Sequence, residues 1–496
     1  MPIKVANTRL PPKIPTPVPI NGLILFLATI LFIATIFAQI NISSIILDYA
    51  PDIYSSKPTK AKTPSYWIPD DSKNLQVVHK IFQTFGFVQD HKGKDWDIMW
   101  TNVYPFQIYK DHLVDLKPHQ RLNHIPGTQV FSYKVNLSMT DVKFIPKSFR
   151  IPNDVKKLKE YAEENPEHQF LLKGKMHRNI EMVKLHEIDL TSRNVFVQKF
   201  VDNPYLVNGR KFDIGVYTII TSVDPLRVYI YNGDILMRYC LKSYYPFDPY
   251  NLDKYILSGD YVPTAKMPSL KKYYNELGFG QRDSFDAYVR SKKGDPRKIW
   301  EQVEDNIREI LILKEEHLRQ RIKKYKAPRN FFELFRFDFG VDENLDVFLL
   351  EANMSPNLSP IRFKHNKLLY EQLLYNIFKL VGIGRYNLNL DSQNSDILAS
   401  NKNVMVNADI CSSYECTSSC INKNCYLCLR CLTEEDIGDL YLTYQEHINR
   451  GDCKRIIPKR MTGQDLSEDY LNKFSSKNQL IMRWFNEKCK ADFTWC

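Results

Sequence analysis

The stretch that most constrains the fold of this 496-residue chain runs from Phe331 to Pro360 and reads FFELFRFDFGVDENLDVFLLEANMSPNLSP. Apolar and polar residues alternate up to Phe339, and residues 345–351 are mostly apolar, which is typical of two strands that border a protein core. The four residues between them, 341–344, contain turn-forming residues. The pattern therefore predicts a β-hairpin.

Three oxygen-bearing side chains lie on this predicted hairpin. Glu351 and Asn353 are two residues apart, so an extended backbone points them to the same face. Asp338 would lie on the neighbouring strand, across the turn. Two carboxylates and one amide are hard oxygen ligands that suit a Mg²⁺ ion holding substrate phosphates. The alternative is a hairpin that merely carries polar residues at its ends.

Composition and charge narrow the class of protein. The chain is 44% hydrophobic and 13% aromatic, which is typical of a folded protein. The formal net charge of +11 indicates an acidic partner, either a nucleic acid, an anionic membrane or an acidic peptide, with simple solubility as the alternative. No dense run of Lys and Arg with interleaved aromatic residues is present, so no nucleic-acid partner is expected.

An apolar segment near the N-terminus, residues 22–40, reads GLILFLATILFIATIFAQI and has no charged residue. It is near the length of about 20 residues that a helix needs to cross a bilayer. We therefore expect a single-pass signal-anchor in the membrane, with a cleaved signal peptide as the alternative. Basic residues precede the segment and aspartates follow it first, which predicts a cytosolic N-terminus and a lumenal or extracellular body. Lysines at 57, 60 and 62 argue against that orientation.

The cysteines are concentrated near the C-terminus. Nine of the ten follow residue 410, and such clustering in a chain with a membrane or export signal favours disulfides. The alternative is zinc, because Cys425, Cys428 and Cys431 have the spacing of metal ligands. Sequons at Asn41 and Asn136 would be usable for glycosylation in a lumen.

Between the two ends, strands and helices are interspersed. Strands are predicted at 169–173, 195–201 and 211–220, helices at 154–164, 298–325 and 366–381, and a second hairpin at 227–231 and 234–239 around Asn232-Gly233. The fold class is therefore mixed α/β (α+β). The predicted organisation is a cytosolic tail at 1–18, a transmembrane signal-anchor at 19–40, a stalk at 41–74, the α/β domain at 75–384, a linker at 385–410 and a Cys-rich module at 411–496.

Several cationic groups lie on the predicted strands. Lys173 ends a strand before a basic loop that contains Arg178, and both could bind a phosphate, although the local sequence favours a solvated loop. Gln198 and Lys199 lie inside an apolar strand, where an unpaired charge would be costly. Lys211 and Asp213 share one face of a later predicted strand and could pair with each other. Arg238, on the strand after the Asn232-Gly233 turn, has a side chain long enough to reach a phosphate or carboxylate.

In this order the motifs resemble the tubulin–tyrosine ligase-like family, ATP-grasp enzymes that join amino acids to tubulin tails. The resemblance spans roughly residues 95–382 and is that of a membrane-anchored, polyglutamylase-like member. It rests on WDIMW, LKPHQRLNHIPG, FIPKSFRIP, FLLK, VFVQKFVDNPYLVNGRKFDIGVYTII, YIYNGDILMRY and FELFRFDFGVDENLDVFLLEANMSPNLSP.

The resemblance implies an ATP-grasp fold and a set of roles. Mg²⁺ would be held by Asp338, Glu351 and Asn353. ATP would be bound by Lys173, Arg178, Gln198, Lys199, Phe200, Val201, Lys211 and Asp213, of which Phe200 and Val201 contribute backbone at the adenine. Catalysis would involve Arg238 and Glu351. The implied reaction joins free glutamate to the acidic tail of tubulin, or of another acidic-tailed protein, through an acyl phosphate.

Three departures from the family pattern bear on activity. The arginine expected two residues after Asp213 is Gly215, so one phosphate-facing cation is missing. The loop after Lys173 lacks the glycine expected near Asn179, and Glu181 adds negative charge there. The Thr-Asn pair expected after the Arg238 strand is not evident there, where residues 257–260 read LSGD. These departures make a catalytically weakened or inactive ATP-binding member one alternative to an active tubulin ligase. The predicted topology adds a second, a lumenal ligase with a non-tubulin protein acceptor.

Overall fold

The computed structural model describes residues 63–70, 73–174, 180–193, 195–257, 259–388 and 397–496. The predicted membrane segment at 22–40 and the loop residue Arg178 lie outside these ranges, so both stay predictions. Among the residues within them, no helix is both long and apolar enough to cross a bilayer. A short strand, Ser65–Trp67, lies inside the predicted stalk.

The strands of the described residues are, in chain order, β1 (Ser65–Trp67), β2 (Val88–Gln89), β3 (Ile98–Met99), β4 (Arg121–Leu122), β5 (Ser148–Ile151), β6 (Phe170–Gly174), β7 (Ile180–Val183), β8 (Val195–Lys199), β9 (Phe212–Val223), β10 (Leu226–Tyr231), β11 (Leu236–Tyr239), β12 (Glu333–Val341), β13 (Val347–Asn353) and β14 (Cys453–Ile457). The α-helices are α1 (Gln76–Thr84), α2 (Pro105–Ile108), α3 (Lys110–Leu113), α4 (Gln129–Ser132), α5 (Lys134–Ser138), α6 (Val155–Glu164), α7 (Gln281–Ser291), α8 (Pro296–Ile322), α9 (Lys367–Leu380), α10 (Asn401–Val404), α11 (Ala408–Ser412), α12 (Tyr414–Ser418), α13 (Glu434–Asn449), α14 (Glu468–Leu471) and α15 (Ser476–Ala491). The predicted mixed α/β class is confirmed.

Three sheets are present in the part of the chain that the structure describes. The largest is antiparallel, with the strand order β13-β12-β9-β10-β14, and β11 also pairs with β9. A second antiparallel sheet has the order β5-β8-β6-β7, and a small parallel sheet has the order β2-β1-β3-β4. Strands β6, β8 and β9 fall where the sequence predicts strands.

The two faces of β12 serve different purposes. Side chains alternate along a strand, so Phe335, Phe337 and Phe339 all point to one face, where they share a core with apolar residues of α8. Arg336 and Asp338 point to the opposite face. Helices α1 and α9 cover one end of that face around Leu334, which leaves the rest for the polar residues.

The predicted hairpin at Phe331 to Asn353 is confirmed, whereas the one around Asn232-Gly233 is wrong. Strands β10 and β11 do not pair with each other, because both lie antiparallel to β9, one after the other along its length. Residues 232–235 interrupt a continuing strand and do not reverse it. The interruption is anchored by Asp234, whose carboxylate accepts the N–H groups of Gln281 and Arg282 at the start of α7.

Eight of the nine C-terminal cysteines form disulfides and Cys453 is a buried free thiol, so zinc is the wrong alternative. The pairs are Cys411–Cys428, Cys416–Cys425, Cys420–Cys431 and Cys489–Cys496. Strand β14 follows the three-disulfide segment and pairs with β10 at the edge of the large sheet. Residues 63–496 form a single compact unit, and the domain boundaries predicted within it stay predictions.

Candidate active site

Two adjoining cavities lie against the large sheet. The first, of 110 Å³, is lined by side chains from the second sheet on one side and from β9, β11, β12 and β13 on the other. The second, of 490 Å³, lies on the far side of Arg238 and Leu257, which line both. Both volumes together fall within the range of small-molecule sites, about 300–1,000 Å³.

Lys173 and Gln198 meet in the first cavity, on the adjacent strands β6 and β8. The Lys173 Nζ donates to Gln198 Oε1 at 2.5 Å, and the Gln198 amide in turn donates to the Ser148 hydroxyl at 3.0 Å. Burial, together with the nearby ammonium groups of Lys134 and Lys211, lowers the pKa of Lys173 to about 8. The solvated-loop alternative for Lys173 is therefore wrong, since its ammonium faces an enclosed cluster of cations.

Lys199, Phe200 and Val201 also line this cavity. The Phe200 N–H donates to the Gln169 carbonyl at 2.8 Å, so the backbone contact predicted there for adenine would have to use another group. The Phe200 ring is buried and lies 5.6 Å from Lys211 Nζ.

Lys211 and Asp213 do not pair with each other. Lys211 Nζ donates to the Tyr255 carbonyl at 3.1 Å. Asp213 instead accepts two hydrogen bonds from the Arg238 guanidinium, at 2.8 and 2.6 Å, and the same guanidinium donates to Asp338 at 2.9 Å. Burial raises the pKa of Asp213 despite the neighbouring Arg238 charge.

The three predicted oxygen ligands converge. Asp338 and Glu351 lie directly opposite each other on β12 and β13, and a β-bulge follows immediately, because Phe339 pairs with Leu349. The Asn353 amide donates to Asp338 at 3.0 Å and to Glu351 at 3.2 Å. One amide thus joins two carboxylates that would otherwise repel each other.

These residues fit Mg²⁺ in donor chemistry. All three carry carboxylate or amide oxygens, and the 33% exposed side chain of Glu351 leaves its carboxylate accessible. Rotation of the Asn353 side-chain amide by half a turn would exchange the positions of its oxygen and its nitrogen, so that the oxygen would face the metal position. Asp338 is the most constrained member, because it also accepts hydrogen bonds from two arginines.

Sequence reasoning missed Arg336 and Lys134. Arg336 is a neighbour of Asp338 on the same face of β12, and its guanidinium donates to both carboxylate oxygens at 2.6 and 2.8 Å. Burial alone would raise the pKa of Asp338, but the charges of Arg336 and Arg238 hold it below its usual range. Lys134, on α5, places its Nζ 3.6 Å from Glu351. The signal for Arg336 was its spacing of two residues from Asp338 within a strand.

Comparisons with known proteins identify the family that this chain resembles. A sequence model of the tubulin-tyrosine ligase family matches residues 111–389. The chain is 40% identical over 471 residues to a Caenorhabditis elegans protein named probable tubulin polyglutamylase ttll-15, which covers 91% of this chain and 89% of that protein. It is 28% identical to the human tubulin monoglutamylase TTLL4, over 56% of this chain and 24% of that one. It is 25% identical to the mouse tubulin polyglutamylase TTLL6, over 62% of this chain and 39% of that one.

Proposed function

This chain belongs to the tubulin-tyrosine ligase family, and from that premise we propose that it is an ATP-dependent ligase that adds glutamate to the acidic tail of tubulin. The names of its relatives support the donor and the acceptor. The observation that carries the proposal is the convergence of Lys173, Lys211 and Arg238 with the acidic corner of Asp338, Glu351 and Asn353 on one pair of cavities.

The nucleotide occupies the first cavity, between the two antiparallel sheets, as in an ATP-grasp fold. The ammonium groups of Lys173 and Lys211 bind its phosphates, and the apolar side chains around Phe200 pack on the base. Lys173 is the better suited of the two to bind an anion, because a bound phosphate would offset its repulsion by the neighbouring cations.

Mg²⁺ would be held by Glu351 and Asn353 with Asp338, and would offset the negative charge of the phosphates. Glu351 would bind it with the accessible part of its carboxylate. Arg336 and Arg238 hold the Asp338 carboxylate in place, and Asp338 would in turn orient the other two metal ligands. The supporting observation is the shared Asn353 amide, which holds both carboxylates on one side of the sheet.

The reaction takes place where the two cavities meet, beside Arg238. A carboxylate oxygen of the acceptor attacks the γ-phosphorus of ATP, the bond from that phosphorus to the β,γ-bridging oxygen breaks, and ADP leaves. The amine of glutamate then attacks the acyl carbon and loses a proton to solvent, while phosphate leaves with the electrons of the carbon–oxygen bond. The chain contributes positions and positive charge, and needs no covalent nucleophile of its own.

Incubation of the purified full-length protein with ATP, Mg²⁺, glutamate and tubulin tests the proposal. Mass spectrometry of the tubulin tails should detect added glutamate residues. Glu351→Gln should lower the rate about 100-fold or more, as expected for a charged group at the transferring phosphate. The matched control is Glu343→Gln, an exposed carboxylate in the turn of the same hairpin, which should keep the wild-type rate. An unmodified tubulin tail, alongside an active control ligase, contradicts the proposal.

A second candidate acceptor follows from the disulfides. Four disulfides in one module favour an oxidising compartment, and tubulin is a cytosolic protein. We therefore propose that residues 22–40 anchor the chain in a membrane with its body in a lumen or outside the cell, where the ligase would act on another acidic-tailed protein.

Protease treatment of intact microsomes distinguishes the two locations. A lumenal body stays intact until detergent is added, and an antibody to the C-terminal module follows its fate. Digestion of the module without detergent contradicts the lumenal proposal and leaves the tubulin acceptor.

A further inference from the structure

Arg336 occupies space that only a glycine at position 215 leaves open. Strands β9 and β12 are antiparallel neighbours, with Gly215 opposite Asp338. A Cβ atom on residue 215 would lie 2.9 Å from Cδ of Arg336, 3.3 Å from its Cγ and 3.2 Å from an Asp338 carboxylate oxygen. Carbon atoms attract each other only from about 3.5 Å outward, so any side chain at 215 would displace Arg336.

Arg336 has little freedom to move aside. Its Nε donates to Asp338 Oδ1 at 2.6 Å and its Nη2 to Oδ2 at 2.8 Å. The two side chains are 9% and 1% exposed, and charge-assisted pairs with two parallel hydrogen bonds are among the strongest in proteins. The part of Arg336 that faces Gly215 is the stem that this pair fixes in place, not a mobile end.

Arg336 also faces the reaction side of the sheet. It lines the 490 Å³ cavity together with Arg238, Asn353 and Arg362. Its partner residue across the strands is Asn353, which joins Asp338 to Glu351. The Arg336 guanidinium therefore lies at the boundary between the acidic corner and the cavity.

We propose that Arg336 is a positioning residue that replaces, from β12, the cation counted as missing at position 215 on β9, and that Gly215 is required to admit it. Residue 215 and Arg336 approach the same Asp338 carboxylate from adjacent strands, so one arginine on either strand can hold it. The positive charge beside Asp338 is then moved from one strand to the next rather than lost. The role of Arg336 in turnover rests on the proposed ligase function, whereas its fit to Gly215 does not.

A set of exchange variants tests the proposal. Arg336→Gly should weaken ATP binding and lower the ligase rate about 100-fold, the usual effect of losing one preorganised charged donor. Gly215→Arg should also impair the protein, because two arginines then compete for one space. The double variant Gly215→Arg/Arg336→Gly moves the arginine to the neighbouring strand, and should recover ATP affinity and most of the rate.

A second pair of variants measures the fit without any activity. Gly215→Ala should lower the thermal unfolding midpoint of the wild-type protein but not that of the Arg336→Gly variant, in which the space is empty. Equal effects in the two backgrounds would overturn the claim that Gly215 admits Arg336.

The two readouts separate this inference from the proposed function. If wild-type protein transfers no amino acid, the ligase proposal fails, while ATP affinity and unfolding of the same variants still measure the exchange. If the double variant folds but binds ATP as poorly as Arg336→Gly, the exchange is wrong. Recovery of the unfolding midpoint without recovery of the rate would leave Arg336 a purely structural residue and would also overturn its positioning role.

Discussion

At the scale of single residues, the site is a balance of buried charges rather than a set of independent ligands. Asp338 accepts from two guanidinium groups and one amide, and Asp213 shares one of those guanidinium groups. Buried carboxylates are tolerated only when they are paired in this way. Removal of any one arginine therefore changes the charge and orientation of the whole corner.

If the proposed nucleotide site is correct, Lys173 should make the affinity for ATP dependent on pH. Its pKa of about 8 in the free protein means that the ammonium is charged below pH 8 and loses its proton above it. The charged form binds phosphate, so ATP affinity should fall about tenfold between pH 7 and pH 9. Isothermal titration calorimetry over this range checks the expectation.

The matched variant for that experiment is Lys173→Arg. A guanidinium keeps its proton throughout this pH range, so the affinity of the variant should vary much less with pH, even if its absolute value is lower. A wild-type affinity that stays constant from pH 7 to 9 would show that Lys173 does not contact the phosphates.

At the scale of elements, the loop 116–127 is attached to the first residue of β12 by a buried ion pair. His124 Nδ1 lies 2.8 Å from Glu333 Oε1, and His124 Nε2 lies 2.9 Å from the Thr101 carbonyl. The other Glu333 oxygen accepts from the Ile125 N–H and the Thr128 hydroxyl. This contact fixes the start of the strand that carries Arg336 and Asp338.

Stability should depend on the charge of His124. Burial lowers the pKa of His124, but the Glu333 carboxylate outweighs burial and raises it above the ordinary value. A raised pKa stabilises the fold fully below the unfolded-state value of about 6.5, and this stabilisation is lost as the pH rises through the folded-state pKa. Urea unfolding of the wild-type protein should therefore show a decreasing free energy across that interval.

His124→Gln should remove that pH dependence and destabilise the protein by about 3–5 kcal/mol at acidic pH, the usual cost of leaving one member of a buried pair alone. His119→Gln, on a half-exposed histidine of the same loop, is the control and should change neither quantity appreciably. A His124 variant with the wild-type pH profile would show that another group is responsible.

At the scale of the whole molecule, the Cys-rich module is built into the large sheet. Strand β14 extends the sheet beyond β10, and Glu446 of α13 accepts from Arg227 of β10 at 2.9 and 3.0 Å. Thr221 of β9 donates to the same carboxylate at 2.8 Å. The module thus completes the far edge of the sheet whose opposite edge carries Glu351 and Asn353.

Removal of the Glu446 carboxylate should loosen this attachment. Glu446→Ala leaves the buried Arg227 guanidinium without its partner, and we expect a loss of about 3–5 kcal/mol in the free energy of unfolding. Glu434→Ala, on an exposed residue at the start of the same helix, should cost about 1 kcal/mol or less. Urea unfolding gives both values, and limited proteolysis should cut the module of the Glu446 variant first. Equal stabilities of the two variants would contradict a structural role for the pair.

Local sequence patterns were enough to predict the hairpin of β12 and β13, the strands that carry Lys173 and Gln198, the strand that begins directly after Lys211, and disulfides among the C-terminal cysteines. Each depends on a local pattern or on residue chemistry: alternation along a strand, a cation within an apolar run, or cysteines clustered behind an apolar N-terminal segment. Such signals need no knowledge of which elements become neighbours.

Which residues lie in contact with one another could be seen only in the folded chain. Asp213 pairs with Arg238 rather than with Lys211, β11 pairs with β9 rather than with β10, and Arg336 fills the room left by Gly215. These outcomes depend on strand order and register between segments far apart in the chain, and no local pattern encodes that register. For the same reason, a position that looks like a lost charge in the sequence is, in the folded chain, the space that a neighbouring strand's arginine requires.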